Sequence, residues 1–584
     1  MKKFLLVLLS VLLLAGSVCA QDTDKTHTIV ERTYKFYDGM IDDVFEEPFP
    51  LYFMDGVDDL PYVDLESWME LQIKLMREWL SDPNYDLMFN AEGTDAAYVR
   101  ENEYHLQFDF AKKTIAFDDF NAFVHSSSEG SLLDLLSASG FTEAGESELY
   151  QRNLDASYDR YGDEVRIDLA SYNIPMIMQD GKYYMPLQTM NDLLISPVIR
   201  ATILFNGECL MLINRALLGT VSRGLTELGE LYYAAEKTEM SKELAEFGYW
   251  ELCFVLDNLY GLKEPHEIEY FDQFFWQMGF DEQFKQATAE EADALLYKFI
   301  DFYLDDLHSE FIAYSYRVGP KEVEWTTGPA TRKLDESVAT YGKARAAFYD
   351  EGYFDENPEP YIYEEVGNTA YITFDHFTNN AGNVYYDAIA NGENLPMDTI
   401  GLLIYAYDRI YRQDSPIENI VIDLSNNTGG AVDAAIYLIG WVLGDAPFSV
   451  KDTFTGALST ASYRVDVNLD RKFDGRDMVV DDKNVYVLIS PISFSCGNLV
   501  PAALQASDKV TILGRTSGGG SCIVQPLSTA WGTFFQISGS SRFSFLKNGS
   551  FYDIDTGVTP DYTITKPNKF YDHEALTEYI NNLY

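Results

Sequence analysis

Between Asn484 and Gly520 the chain reads NVYVLISPISFSCGNLVPAALQASDKVTILGRTSGGG, two apolar runs separated by a helical pattern. This predicts a buried strand, a tight turn, a helix, a second buried strand and a glycine-rich loop. The same alternation begins earlier. NTAYITF (Asn368–Phe374) reads as a strand, Thr399–Arg412 as a helix, ENIVIDLS as a strand, NNTGG (Asn426–Gly430) as a loop and AAIYLIGWVLG as a helix. Strands alternating with helices indicate a mostly parallel sheet, whose ligands sit at the carboxyl ends of its strands. NNTGG and the turn SFSCGN both fall there.

Upstream, the period changes twice. Residues 21–195 carry short alternating runs rich in aromatic residues, and 196–317 carry apolar residues at three- and four-residue spacing, as in ELGELYYAAEKTEMSKELAEFGYWELCFVLDNLYG. The expectation is a multidomain α+β chain: a β-rich N-terminal region (21–195), a helical subdomain (196–317), a charged linker (318–363) and a C-terminal α/β domain (364–584). Within the first region PLYFMDGVDDLPYVDLESW and PMIMQDGKYYMPLQTMNDLL share Asp-Gly, three residues, Leu or Met, then Pro. Asp-Gly suits a hairpin turn, and the segment after each Pro reads as amphipathic helix. The second copy resembles the small N-terminal-type domain of copper amine oxidases, without copper ligands. That implies two small binding or scaffold modules.

Length and termini add to this picture. A chain of 584 residues is too long for one core. Residues 1–20 combine Lys2-Lys3, an apolar run and GSVCA, the pattern of a secretory signal ending at Ala20. The run is shorter than the roughly 20 apolar residues of a membrane span. Val18 and Gly16 argue against a lipid-modified Cys19. An exported protein, periplasmic or extracellular and without a membrane span, is expected. The net charge of −51 repels nucleic acid and anionic lipid and argues against both as partners. Export permits disulfides, and Cys209–Cys253 is the pairing to test.

Ser495 lies on the strand-to-helix turn, where the first N–H groups of the helix point toward it. This joins a nucleophile to the start of an anion-stabilising site, as acyl transfer requires, although Ser/Gly turns are also common as plain caps. Cys496 beside it reads as a small buried packing residue. In NNTGG the glycines permit close backbone approach and leave N–H groups for an oxyanion, or simply cap the next helix. A hydroxyl nucleophile needs a base. The histidines are His27, His105, His125, His266, His308, His376 and His573. His308 follows Asp305-Asp306 at a helix end, and His376 ends the strand NTAYITF. Both stay open on this reading.

IENIVIDLSNNTGG, VYVLISPISFSCGNLVPAALQASDKVTILGRTSGGG and DTGVTPDY, with LDDLHS upstream, resemble the tail-specific (C-terminal-processing) serine peptidases. The resemblance implies Ser495 as nucleophile, and Gly430, Gly429 and the N–H of Cys496 as oxyanion donors. Two departures stand out. The loop that holds the catalytic lysine of the bacterial enzymes reads RTSGGGS here, with Gly519 and Gly520 near the expected position. The linker is also too short for a PDZ domain. The chain is more similar to the PDZ-less subgroup of the chlamydial protease-like activity factor, which implies His308 as base and a late acid, Asp555 or, second, Asp553. The implied function is an exported serine endopeptidase acting on protein or peptide through a Ser–His–acid mechanism, with no required cofactor. A non-catalytic protein binding an apolar ligand or peptide on the same fold is the alternative. DVNLDRKFDGRD places Asp466, Asn468, Asp470, Asp474 and Asp477 at calcium-loop spacing, but with Arg471 where glycine is expected; a solvated acidic turn is the other reading.

Overall fold

Two Asp-Gly turns organise the N-terminal half. In the computed structural model Asp55 and Gly56 take φ of 56° and 81°, and Asp180 and Gly181 take 54° and 78°. These are left-handed conformations that suit Asp-Gly. Each turn closes a strand pair followed by a helix: Phe49–Met54, Tyr62–Asp64 and Leu65–Trp79 in one copy, Ile177–Gln179, Lys182–Pro186 and Leu187–Leu194 in the other. The copies join edge to edge, with Val63 opposite Met185. The structure describes residues 26–583 except 40–42, 46, 80–82, 125–150, 154–155, 215–226, 236–238, 322–326 and 381–382. The signal-like residues 1–20 and His125 lie outside the described residues.

Two expectations about element type differ from the structure. The region from Ser196, read as helical, has one helical turn, Ser196–Ile199, and then strands Ala201–Phe205 and Cys209–Asn214, antiparallel to each other. Asn206-Gly207 turns between them, with Gly207 at φ 93°, and the apolar run on either side is β-compatible. The helices follow, including Lys242–Leu259 and Ala289–Lys298. The segment read as linker contains an 18-residue helix, Pro329–Ala346. Pro329 suits its first turn, and Tyr341 and Arg345 are its buried residues, so the helix shows little apolar periodicity. The proposed Cys209–Cys253 bridge is absent: both cysteines are free and buried, and they belong to separate apolar clusters.

The C-terminal sheet has the expected plan. We label its elements β1 (Tyr361–Val366), β2 (Thr369–Phe374), β3 (Asn419–Asp423), α1 (Val432–Leu443), β4 (Asn484–Ile489), α2 (Cys496–Gln505), β5 (Val510–Gly514) and β6 (Tyr562–Thr563). The strand order is β1-β2-β3-β4-β5-β6. The β1–β2 pair is antiparallel and every other pair is parallel. β2 and β3 are buried along their whole length, which is why they read as unbroken apolar runs.

A second, antiparallel sheet is what positions the site. Its central strand, Phe534–Ser544, pairs with Cys522–Ser528 and Ala446–Asp452 from the C-terminal region, and with Glu310–Ala313 from far upstream. The strand Glu310–Ala313 begins two residues after His308. Sheet pairing, not chain proximity, therefore carries the LDDLHS loop to the C-terminal domain. Among the described residues no helix is long and apolar enough to cross a membrane.

Candidate active site

Ser495 caps α2 with φ 56° and ψ −121°, a conformation costly for a residue with a Cβ. The surrounding hydrogen bonds over-determine it. Ser493 Oγ donates to the Leu424 carbonyl at 2.7 Å. Phe494 N–H donates to the Asn427 carbonyl, and Ser495 N–H to the Gly519 carbonyl. Asn427 in turn donates from its side chain to the Phe374 carbonyl at 3.1 Å. The carboxyl ends of β2, β3 and β4 and the glycine loop after β5 are thereby laced around one turn.

The two glycines of NNTGG make that approach possible. Gly429 has φ 109°, and a Cβ there would lie 2.7 Å from the Ser495 Cβ. Gly430 has φ 130° and would drive a Cβ to 2.3 Å from the Phe377 carbonyl oxygen. Their N–H groups differ. That of Gly429 donates to Asn427 Oδ1 at 2.9 Å. Among the described residues no intramolecular acceptor takes the N–H of Gly430 or of Cys496. The Cys496 side chain is buried, with Sγ 3.2 Å from the Gly430 carbonyl. Burial pushes its thiol up to about 12, which fits a packing role rather than a thiolate.

His308 is 8% exposed and its ring lies 4.5 Å, centroid to centroid, from that of Phe494, the neighbour of Ser495. Its backbone is fixed from both sides. Its N–H donates to Asp306 Oδ1 at 3.0 Å, and its carbonyl accepts from Gln536 Nε2 at 2.8 Å. Asp306 also accepts from Ser309 Oγ at 2.7 Å. His376 lies beside the NNTGG loop, its Nδ1 3.1 Å from Thr428 Oγ1. Gly520 sits against the opposite partner of this packing: a Cβ there would fall 2.6 Å from the Phe494 ring. Of the two glycines near the position of the family's lysine, Gly520 leaves room for Phe494, on which His308 packs, and Gly519 leaves room for the Asp555 carbonyl.

Asp555 is half-buried against the same loop. Its Oδ1 accepts from Ser521 N–H at 3.1 Å and Ser521 Oγ at 3.0 Å. Burial raises its carboxyl above the ordinary range, opposed by the Arg542 charge and the Ser521 hydrogen bond, while Asp306 raises it further. Asp553 is half-exposed and forms an ion pair with Arg542 at 2.7 Å. Two residues missed in the sequence reading hold these parts together. Asn498 on α2 donates to the Ile554 carbonyl at 2.8 Å and accepts from Ser517 Oγ at 2.7 Å. Arg542 lies in the central strand of the second sheet, and no local spacing connects it with the serine turn.

The calcium-spaced loop is held by its own donors. Asp466 accepts from Asp470 N–H, Arg471 N–H and Tyr386 Oη. Asp477 accepts from Val467 and Asp474 N–H, and Arg476 bridges Asp470 and Asp474. Among the described residues there is no group of three or more His, Cys, Asp or Glu side chains arranged to hold a metal ion.

A serine on a strained strand-to-helix turn, the backbone N–H groups of Gly430 and Cys496, a histidine packed on Phe494 and a half-buried acid are parts of the kind from which a serine hydrolase site is built. Residues 368–564 match the sequence model of peptidase family S41. That segment of the chain is thus similar to the serine-type peptidase domains of this family. No curated protein sequence matches the chain. Among solved structures it is similar to the photosystem II D1 C-terminal processing protease, with 17% identity, a TM-score of 0.26, and 35% of this chain and 47% of that one covered. It thus spans about half the length of that protein. A putative peptidase from Parabacteroides merdae has 14% identity and a TM-score of 0.38, over 56% of this chain and 90% of that one. Mature CPAF complexed with lactacystin has 12% identity and a TM-score of 0.35, over 59% and 97%.

Proposed function

We propose that this protein is an exported serine endopeptidase that hydrolyses protein or peptide substrates through an acyl-enzyme. The observation that carries the mechanism is the packing of His308 on Phe494 beside the strained Ser495 turn, on a domain that matches a peptidase family. In this reading Ser495 Oγ attacks the scissile carbonyl carbon and His308 takes the hydroxyl proton. The N–H groups of Gly430 and Cys496 receive the developing oxyanion. Gly429, whose N–H is committed to Asn427, contributes the close backbone approach instead. His308 then passes the proton to the departing amine as the C–N bond breaks. Water, deprotonated by the same imidazole, adds to the ester, and Ser495 leaves with the proton returned. Asp555 stabilises the imidazolium. Export rests on the signal pattern of residues 1–20.

A fluorophosphonate probe tests this reading. The protein is expected to label once, at Ser495, and Ser495→Ala is expected to abolish both labelling and cleavage of an unfolded protein substrate. Equal labelling of that variant, or no labelling of the unaltered protein, removes Ser495 as nucleophile.

A further inference from the structure

Arg542 is 6% exposed, a buried cation in a chain of net charge −51. It presents two donors to one hydroxyl: Nε and Nη2 lie 3.1 and 2.8 Å from Ser521 Oγ. A serine hydroxyl has two acceptor positions and one proton. With both acceptor positions taken by a group that never accepts, the remaining O–H is directed to Asp555 Oδ1, 3.0 Å away. Ser521 N–H reaches the same oxygen at 3.1 Å. Oδ1 thus has two donors, and none of the described hydrogen bonds uses Oδ2.

We infer that Arg542 is a positioning residue: acting through Ser521 Oγ, it fixes Asp555 as a carboxylate with Oδ1 saturated and Oδ2 as the acceptor available to the His308 imidazole. This deepens the peptidase reading and rests on it for its catalytic consequence. The charges around Asp555 make the arrangement consequential. Asp306 in the histidine loop and Asp553 on the same segment both disfavour ionisation of Asp555, and Arg542 opposes them. Tyr260, at the end of helix Lys242–Leu259, and Cys522 also lie close enough to feel the Asp555 charge, and both are kept neutral by burial. Without Arg542, burial and two neighbouring carboxylates would act on Asp555 with only Ser521 to counter them. The ion pair to Asp553, at 2.7 Å, is made by the same Nη2 that reaches Ser521 Oγ and holds that edge of the guanidinium in place.

The test is the rate of Ser495 labelling by a fluorophosphonate between about pH 5.5 and 8.5 in the unaltered protein, Arg542→Gln, Arg542→Lys and Ser521→Ala. Arg542→Gln is expected to react about tenfold more slowly at pH 8, with the gap widening to about a hundredfold at pH 6 as Asp555 protonates. Arg542→Lys, which keeps the charge, is expected to recover most of the pH dependence. Ser521→Ala, which keeps the Arg542–Asp553 pair, is expected to show the widening gap. A gap that is constant with pH in both Arg542→Gln and Ser521→Ala marks a packing role and overturns the inference. A double-mutant cycle of Arg542→Gln and Asp555→Asn in thermal unfolding reads the same coupling without activity. Non-additive losses support it, and additive losses overturn it. Failure of the unaltered protein to label, with a non-additive cycle, would remove the peptidase reading and leave the pairing standing.

Discussion

The imidazole of His308 rests on the phenyl ring of Phe494, centroids 4.5 Å apart and planes tilted by 54°. A residue near the middle of the chain is thereby set beside a turn almost 190 positions later. His376, the other base candidate, is paired with Thr428 of the NNTGG loop. His308→Ala is accordingly expected to lower peptidase turnover by on the order of 10³–10⁴, as removal of a triad member does, and His376→Ala by less than about tenfold. Turnover of a fluorogenic peptide checks both, and the reverse ranking would transfer the base to His376.

Gly429 offers a second, purely steric prediction. Its φ of 109° and the 2.7 Å approach of a built Cβ to the Ser495 Cβ leave no room for alanine. Gly429→Ala is expected to destabilise the fold by about 1–3 kcal/mol, the usual scale of such backbone strain, and to abolish labelling of Ser495. Thermal unfolding and probe labelling measure the two effects. An active, equally stable variant would mean that the NNTGG loop can retreat from the serine.

The difference between these glycines and Arg542 shows what sequence patterns reveal. The turn that carries Ser495 and the loop that carries Gly429 and Gly430 were legible as turns because each follows a strand whose apolar run ends abruptly in small residues. The parallel sheet was legible for the same reason. The strands Ala201–Phe205 and Cys209–Asn214 were misread because a continuous apolar run does not separate buried strand from buried helix, although Asn206-Gly207 marked the turn. Helix Pro329–Ala346 was missed because only Tyr341 and Arg345 along it are buried, so it carries no apolar stripe. Arg542 and Asn498 were illegible for a different reason. Their roles depend on the pairing of strands distant in sequence, and nothing local marks them.

Asp192 leads to a pH prediction outside the catalytic site. It is buried on helix Leu187–Leu194, accepts from Gln188 Nε2 and Asn191 Nδ2, and lies near the buried Glu251, which accepts from Thr189 Oγ1 at 2.7 Å. Burial pushes Asp192 up to about 8, and burial together with the Asp192 charge raises Glu251. The folded state therefore binds protons that the unfolded chain, with carboxyls near 4, has released. Stability from this pair is fully present below about pH 4 and is lost as pH rises toward about 8. Asp192→Asn removes the titration, so the melting temperature of the variant relative to the unaltered protein is expected to climb between pH 5 and about pH 9. A difference independent of pH would show that Asp192 is ionised in the folded protein throughout.

The loop Asp466–Asp477 gives the last prediction, because its spacing and its hydrogen bonds point in opposite directions. Calcium would need several carboxylate and carbonyl oxygens free to converge. Here both oxygens of Asp466 and both of Asp477 accept hydrogen bonds, chiefly from the loop's own N–H groups, and the Arg476 guanidinium already bridges Asp470 and Asp474. Arg471, at the position where a calcium loop turns on glycine, has a φ of 62° and lies over the Tyr386 ring at 4.1 Å. Burial pushes Asp477 up to about 6. Binding would require Arg476 to leave and the N–H groups to turn away. A site of about 50 μM affinity would add about 2.7 kcal/mol at 5 mM calcium, a shift of several degrees in a domain of this size. The expected shift is less than about 1 °C, whereas Asp466→Ala, which strands Tyr386 Oη and two N–H groups, is expected to cost about 1–3 kcal/mol with or without calcium. A melting temperature that rises by several degrees with calcium, and no longer does so in Asp466→Ala, would show that the loop opens to the ion.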